Sequence, residues 1–232
     1  MTTQDYTRRP GIGESVGRLV RHREVPVSVA LIALVAITYV ANPRFLSSQS
    51  IKDLLLNATI VMILATGQAL VLITRNVDLS VGSVLGLSGF LTGTLFATFP
   101  GIPIPVVFLA GITIGLILGA VNGLLVTSAG VPALVITLGT LYIYRGINNA
   151  WAGGKEYFSG DRPVAFGNLS VDTVVGFPII SLIALSVLIV IAVILAATRA
   201  GRDFYAIGSD PAAAKLFGIP IKRRVFTAFV LN

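Results

Sequence analysis

The sequence predicts an all-α fold, a polytopic bundle of transmembrane helices. Three observations carry that expectation. Of the 232 residues, 55% are hydrophobic and only 12% charged, with a mean hydropathy of +0.90. A water-soluble chain is usually about a quarter charged, and this one lacks the polar surface to face water. The charges are also segregated: no Asp, Glu, Lys or Arg occurs from Leu79 to Tyr144 or from Thr173 to Thr198. Finally, apolar runs near 20 residues recur, the length at which a helix crosses a bilayer.

The elements follow in order. Residues 1–24 form a basic leader, with Arg8, Arg9, Arg18, Arg21 and Arg23 against Asp5, Glu14 and Glu24. The first apolar run is 25–41. A signal-peptide core is the alternative, but Asn42-Pro43-Arg44 follows in place of a small-residue cleavage site. Further spans are expected at 54–74, 81–99, 104–128, 132–151 and 174–198, with a polar loop over 152–172. The spans make 25–198 a six-span region. A basic loop at 199–223 follows, and a seventh span begins at 224–232.

The net charge of +7 sits mainly at the two ends of that region. Arg199, Arg202, Lys215, Lys222, Arg223 and Arg224 outweigh Asp203 and Asp210. Six spans bring both basic segments to one side, and the positive-inside bias makes it the cytoplasm. The loop at 152–172 then lies outside, where Glu156, Asp161 and Asp172 exceed Lys155 and Arg162. Arg44 and Lys52 fit this topology less well. Basic flanks of spans account for the charge, so nucleic acid is not a partner. The absence of cysteine excludes disulfide and thiol chemistry. A lone histidine, His22, leaves no His-built metal centre or catalytic dyad.

Glycines at 111, 115, 119 and 123 stack on one face of the fourth span, which favours close helix approach, with a lining of the transport path as the alternative. Gly82/Gly86 and Gly89/Gly93 repeat the spacing. Polar groups at lipid depth normally face the bundle. Asn57, Gln68, Asn122, Thr137 and Asn148, with Thr92, Thr140 and Asn149, suggest a polar seam suited to a hydroxylated solute. Structural hydrogen bonding is the alternative for each. Arg145 is expected near the outer interface, where snorkelling or a solute contact explains it. No intramembrane acid pairs with His or Lys, which argues against proton coupling.

Two segments are more specific. In Arg75-Asn76-Val77-Asp78-Leu79-Ser80-Val81-Gly82-Ser83, Asp78 or Ser80 is placed to cap the following helix. In 208–220, Asp210 is a good N-cap, Pro211 a good first helical residue, and Ala212, Ala213 and Ala214 propagate a helix that Gly218 and Pro220 stop. About two turns of helix are unstable alone and must dock on lipid or a partner.

At these segments the chain resembles the inner-membrane permeases of bacterial ABC sugar importers. More narrowly it resembles the ribose/xylose/arabinose-type family, which includes the rhamnose and autoinducer-2 permeases. The matching stretches run from Gly67-Gln68 through Ser83, Val131 to Thr140 with Tyr144-Arg145-Gly146, and Gly201-Arg202 through Gly208. Thr74-Arg75-Asn76, Tyr144-Arg145-Gly146 and Trp151-Ala152-Gly153-Gly154-Lys155 lean toward the rhamnose and autoinducer-2 members. The resemblance makes Asp78, Ser80, Gly82, Ser83 and Arg145 family signature positions. It makes Asp210, Pro211, Ala213, Ala214 and Gly218 the loop that engages an ATPase.

The same resemblance implies a separate ABC ATPase subunit, an extracytoplasmic sugar-binding protein, a second permease copy or homologue, and a multi-pass place in the bacterial inner membrane with a cytoplasmic N-terminus. ATP is then used by the partner, and this chain binds no cofactor and is not an enzyme. Its Gly153-Gly154-Lys155 is followed by Glu156 and forms no phosphate-binding loop. Departures from the family are Ala212 where Glu is usual and Phe217 where a small residue is common. The family's members are longer, which leads us to expect a C-terminally truncated permease. Two alternatives stay open, an inactive permease fragment and a stand-alone secondary transporter.

Overall fold

The computed structural model describes residues 24–232. The predicted basic leader lies outside the described residues, apart from Glu24. The chain divides into two compact units, Met1–Leu54 and Leu55–Asn232.

In the first unit, α1 covers Glu24–Ala41. Its run of Val, Ile, Leu and Ala is apolar on every side, as a helix surrounded by lipid requires. Asn42 ends it. The Asn42 side chain accepts a hydrogen bond from the Arg44 amide (3.1 Å) and caps a 3-10 turn, Pro43–Leu46. Helix α2, Ser48–Ile73, starts here and continues into the second unit. It begins six residues before the apolar run at 54. The Ser47 hydroxyl accepts from the Ser50 amide (3.2 Å), an N-terminal cap that hydropathy does not register.

The second unit is built of helices joined by turns, with one hairpin of two short strands. α3 is Val81–Thr98, α4 Ile104–Ser128 and α5 Ala133–Ala152. The turn between α4 and α5 uses Gly130 at φ 66° and Pro132, and Gly153 at φ 53° stops α5. The predicted polar loop needs correction. It contains a 3-10 turn, Ser159–Asp161, and a two-turn helix α6, Val164–Val171, opened by Pro163. The predicted sixth span also starts late. Residues Thr173–Val174 (β1) and Phe177–Pro178 (β2) pair antiparallel, so α7 is Ile179–Ala197. The hairpin turns at Val175 and Gly176, both with positive φ. Apolar character alone does not separate this hairpin from the helix.

Beyond α7 come α8 (Arg199–Ser209), α9 (Pro211–Leu216) and α10 (Ile221–Leu231). α8 opens on Thr198, whose hydroxyl accepts from the Gly201 amide (3.1 Å). α10 begins three residues before the predicted seventh span because Pro220 starts it.

Packing centres on α10, which lies along α4, and on α3, which lies against α4 and α5. One core cluster joins Leu70 and Val71 of α2, Ala133 of α5, Phe204 of α8, and Val225, Ala228 and Phe229 of α10. A second joins Leu87, Leu118 and Tyr144. Arg224 binds Asp203 (Nε to Oδ2, 2.8 Å), tying α10 to α8. Among the described residues, four helices, α2, α3, α4 and α7, are long and apolar enough to cross a membrane, and the apolar part of α1 is somewhat shorter. The protein is a polytopic membrane bundle.

The glycine face of α4 divides in two. A Cβ on Gly119 would collide with the Phe229 carbonyl, and one on Gly123 would lie 3.0 Å from Phe226. A Cβ on Gly111 would only touch Thr92 at 3.4 Å, and Gly115 faces open space. Gly82, Gly86 and Gly89 likewise border no close neighbour, whereas Gly93 abuts the Tyr157 ring. Close packing is therefore confined to the half of α4 that meets α10. Gly119→Leu should destabilise the bundle by roughly 1–3 kcal/mol through overpacking, while Gly115→Leu should be tolerated. Thermal unfolding of the detergent-extracted variants checks this, and equal loss in both would refute the division.

Candidate functional site

The most organised polar feature surrounds Asp78, in the turn between α2 and α3. Thr74 and Asn76 close α2, their hydrogen bonds running to Val71 and Thr74. The turn then brings Asp78 inward until it is only 3% exposed. Asp78 Oδ1 accepts from the Ser80 amide (2.8 Å) and the Ser80 hydroxyl (2.7 Å). Oδ2 accepts from Asn232 Nδ2 (3.0 Å) and, at longer range, from Asn122 Nδ2 (3.5 Å).

Asn122 also donates to Ser80 Oγ (2.7 Å) and accepts from the Tyr144 hydroxyl (3.2 Å) through Oδ1. Gln68 donates to the Asp78 carbonyl (2.5 Å), and Thr137 donates to the Val77 carbonyl (3.3 Å). Five helices, α2, α3, α4, α5 and α10, are thus joined through one carboxylate and its turn. Neither Asp78 nor Ser80 bonds the free amides of α3 through its side chain. The expected capping role gives way to a tight turn in which Asp78 binds Ser80, because the carboxylate has stronger partners inside the bundle.

The same turn reaches α8. Arg75, at φ 60°, donates from Nε to the Gly208 carbonyl (2.6 Å) and from Nη2 to the Ser209 carbonyl (2.5 Å). A cation on the last carbonyls of a helix satisfies groups that have no intrahelical partner. Gly208 lets the helices meet, since a Cβ there would strike the Ile73 carbonyl. The 75–80 turn and the α8–α9 corner therefore lie at one end of this unit. At that corner the Asp210 carboxylate accepts from the Ala212 (2.8 Å) and Ala213 (3.2 Å) amides, and Pro211 opens α9. Gly218 takes φ 74°. Ala214 is buried and Ala213 half-buried, whereas Leu216 and Phe217 are 89% and 86% exposed.

The remaining seam candidates scatter. Gln68, Asn122 and Thr137 belong to the Asp78 network. Asn57 is on an exposed face of α2, and Asn148 on α5 keeps a buried Oδ1 with no partner. Ser83 bonds the Leu141 carbonyl (2.9 Å), tying α3 to α5. Gly82 touches nothing closely, and Arg145 is exposed. A cavity of about 620 Å³ is lined chiefly by apolar side chains of α2, α3 and α4, with Ser88, Thr92 and Asn232 among the few polar ones. It offers little to a hydroxylated solute. Sequence reasoning missed Arg75 as an anchor, and Tyr144 and Asn232 as partners of the network. It also missed the Thr59–Ser181 hydroxyl pair (2.7 Å) between α2 and α7.

The network makes a stability prediction. Asp78→Ala leaves the Ser80, Asn122 and Asn232 donors buried without their acceptor, at a cost of about 3 kcal/mol. The thermal midpoint should fall by several degrees, and Asp78→Asn, which keeps one acceptor oxygen, should fall less. Unchanged midpoints in both variants would show that Asp78 does not hold the helices together.

The chain is 38% identical over 214 residues to the autoinducer 2 import system permease protein LsrC of Enterobacter sp. (strain 638), a match covering 92% of this chain and 61% of that protein. The LsrC proteins of Klebsiella pneumoniae and Escherichia coli K12 are each 36% identical, with 92% and 91% of this chain and 61% and 60% of theirs covered. The chain thus spans about three fifths of the length of the curated relatives it matches. No solved structure matches it. A family model described as "branched-chain amino acid transport system / permease component" matches residues 50–232, and the chain belongs to that permease family.

Proposed function

We propose that this chain is the permease subunit of an ATP-driven importer, forming part of the path for a monosaccharide or similar small polyhydroxylated solute. The observation that carries the reading is α9, a well-capped helix too short to stand alone, with Leu216 and Phe217 bare at its end. A short helix of this kind is stabilised by docking. Two adjacent exposed apolar side chains on a polar corner suit a protein partner. Arg75 and Gly208 fix the base of this corner to the bundle, so force applied at α9 reaches the turn that holds Asp78. The solute class rests on the resemblance to sugar-importer permeases, and the named relatives are autoinducer 2 import permeases.

In this reading a separate ABC ATPase subunit docks on α9 and hydrolyses ATP. An extracytoplasmic binding protein delivers the solute, and a second permease copy or homologue completes the path. The chain itself makes and breaks no covalent bond and binds no cofactor. It spans the bacterial inner membrane with α1 to α5 and α7, its N-terminus and α9 in the cytoplasm, and the loop carrying α6 outside. The basic residues from Arg199 to Arg224 support this orientation.

The buried Ala214 faces the chain's own core, which makes Phe217 and Leu216 the stronger anchors for a partner. Phe217→Asp should weaken recovery of the cognate ATPase in pulldown by about tenfold or more, as loss of a buried anchor does. Asp210→Ala should act more weakly, removing about 1 kcal/mol of capping. Full ATPase recovery by Phe217→Asp at normal membrane abundance would remove α9 as the docking element. For orientation, a single cysteine at Glu156 should react with an impermeant thiol reagent in intact cells and one at Lys222 should not. Reaction at Lys222 would overturn the six-span topology.

A further inference from the structure

α5 has two polar faces with different fates. One is buried: Thr137, Thr140 and Tyr144 pack against the Asp78 turn and against α3 and α4. The other carries Tyr142, Arg145 and Asn149, spaced three and four residues apart and therefore aligned on one side of the helix. All three are exposed. Among the described residues, none of their side chains has a hydrogen bond, ion pair or ring contact.

Lipid is a poor environment for this stripe. An exposed arginine within a span costs several kcal/mol in hydrocarbon. Snorkelling gives limited relief here. Arg145 lies seven residues before Ala152, about 10 Å below the end of the helix at 1.5 Å per residue. Helical side chains also lean toward the N-terminus, so this one leans away from the nearer helix end. α5 is also absent from the helices apolar enough to cross a membrane unaided, unlike α2, α3, α4 and α7. The cavity bordered by α2, α3 and α4 does not substitute as a polar route, since its lining is mostly apolar.

We infer that the Tyr142–Arg145–Asn149 face of α5 lines the water-filled solute path and contacts the solute's hydroxyl groups. The chemistry fits a neutral polyol or sugar ring. The Arg145 guanidinium offers five N–H donors, the Asn149 amide both donates and accepts, and Tyr142 adds a hydroxyl and a flat ring face. The inference rests on the proposed permease function for its solute. The aqueous exposure of the stripe stands independently of it.

The test exploits a chain without cysteine, so single substitutions need no background removal. Tyr142→Cys, Arg145→Cys and Asn149→Cys are compared with Ile143→Cys and Ile147→Cys, which lie on the exposed apolar flank of the same helix. Each is placed in the chain co-expressed with its partner subunits in native membranes. A small, charged thiol reagent needs water and thiolate, and a thiol in apolar surroundings forms little of it.

The three stripe positions should be modified at least about tenfold faster than the two flank positions. Arg145→Met and Asn149→Leu should also lower the maximum rate of ATP-dependent ribose or autoinducer 2 uptake, with ATPase recovery unchanged. Equal, slow modification at all five positions would overturn the inference, placing the stripe in lipid or in a dry contact. So would fast modification with unimpaired uptake by both Arg145→Met and Asn149→Leu, which would leave water but no solute there. If the unmutated chain supports no uptake, the proposed function fails, and modification rates alone still decide whether the stripe is aqueous.

Discussion

A carboxylate removed from water must find donors, and Asp78 is the group on which that requirement falls. Its two oxygens draw in the Ser80 backbone and hydroxyl, Asn232 and Asn122. Lipid supplies no hydrogen bonds in exchange, so the geometry of the turn is not negotiable within the bundle. Fixing the turn fixes the exit of α2 and the entry of α3. It also sets Arg75, whose guanidinium holds the last carbonyls of α8. A single buried charge therefore organises helices that are far apart in sequence.

Apolar packing fills in around that frame. Hydrocarbon gives no hydrophobic drive for one apolar helix to join another, so close fit and polar links must hold the bundle. Gly119 and Gly123 provide the fit by letting the backbone of α10 approach α4. Asn122 lies between them in sequence and provides the link to Asp78 and Ser80. Tight approach and hydrogen bonding thus act on the same turn of α4, each requiring the other to be in register.

Much of this was legible in the sequence. Hydropathy placed α4 at its observed ends and α3 and α5 within a residue or so, because Pro and Gly mark those boundaries sharply. It failed where another signal overrode apolarity. The Ser47 cap lengthened α2, Pro163 opened α6 inside a polar loop, and the 173–178 hairpin replaced the first turn of α7. For the site, the sequence identified Asn122, Gln68 and Thr137 as polar groups at lipid depth, and Asp78 and Ser80 as capping and family signature positions. It did not reveal that they satisfy one another. Residue type shows that a partner is required, but only tertiary contact names it. Arg75 escaped notice for the same reason, since its partners are backbone carbonyls more than a hundred residues away.

The polar residues of the spans consequently divide by whether the chain completes their hydrogen bonding. Gln68, Asn122, Thr137 and Tyr144 are engaged within the bundle, and moving them would uncover buried donors or acceptors. Groups so committed are poorly suited to exchanging partners with a passing solute, because each exchange breaks a bond that the bundle needs. Arg145, Asn149 and Tyr142 carry no such commitment. A helix that is fixed along one face and unsatisfied along the other can hold that second face rigidly and, in the proposed solute path, offer the solute free donors. α5 has that construction: Thr137 and Tyr144 anchor it, and their separation of seven residues, two helical turns, keeps the opposite face from rotating away.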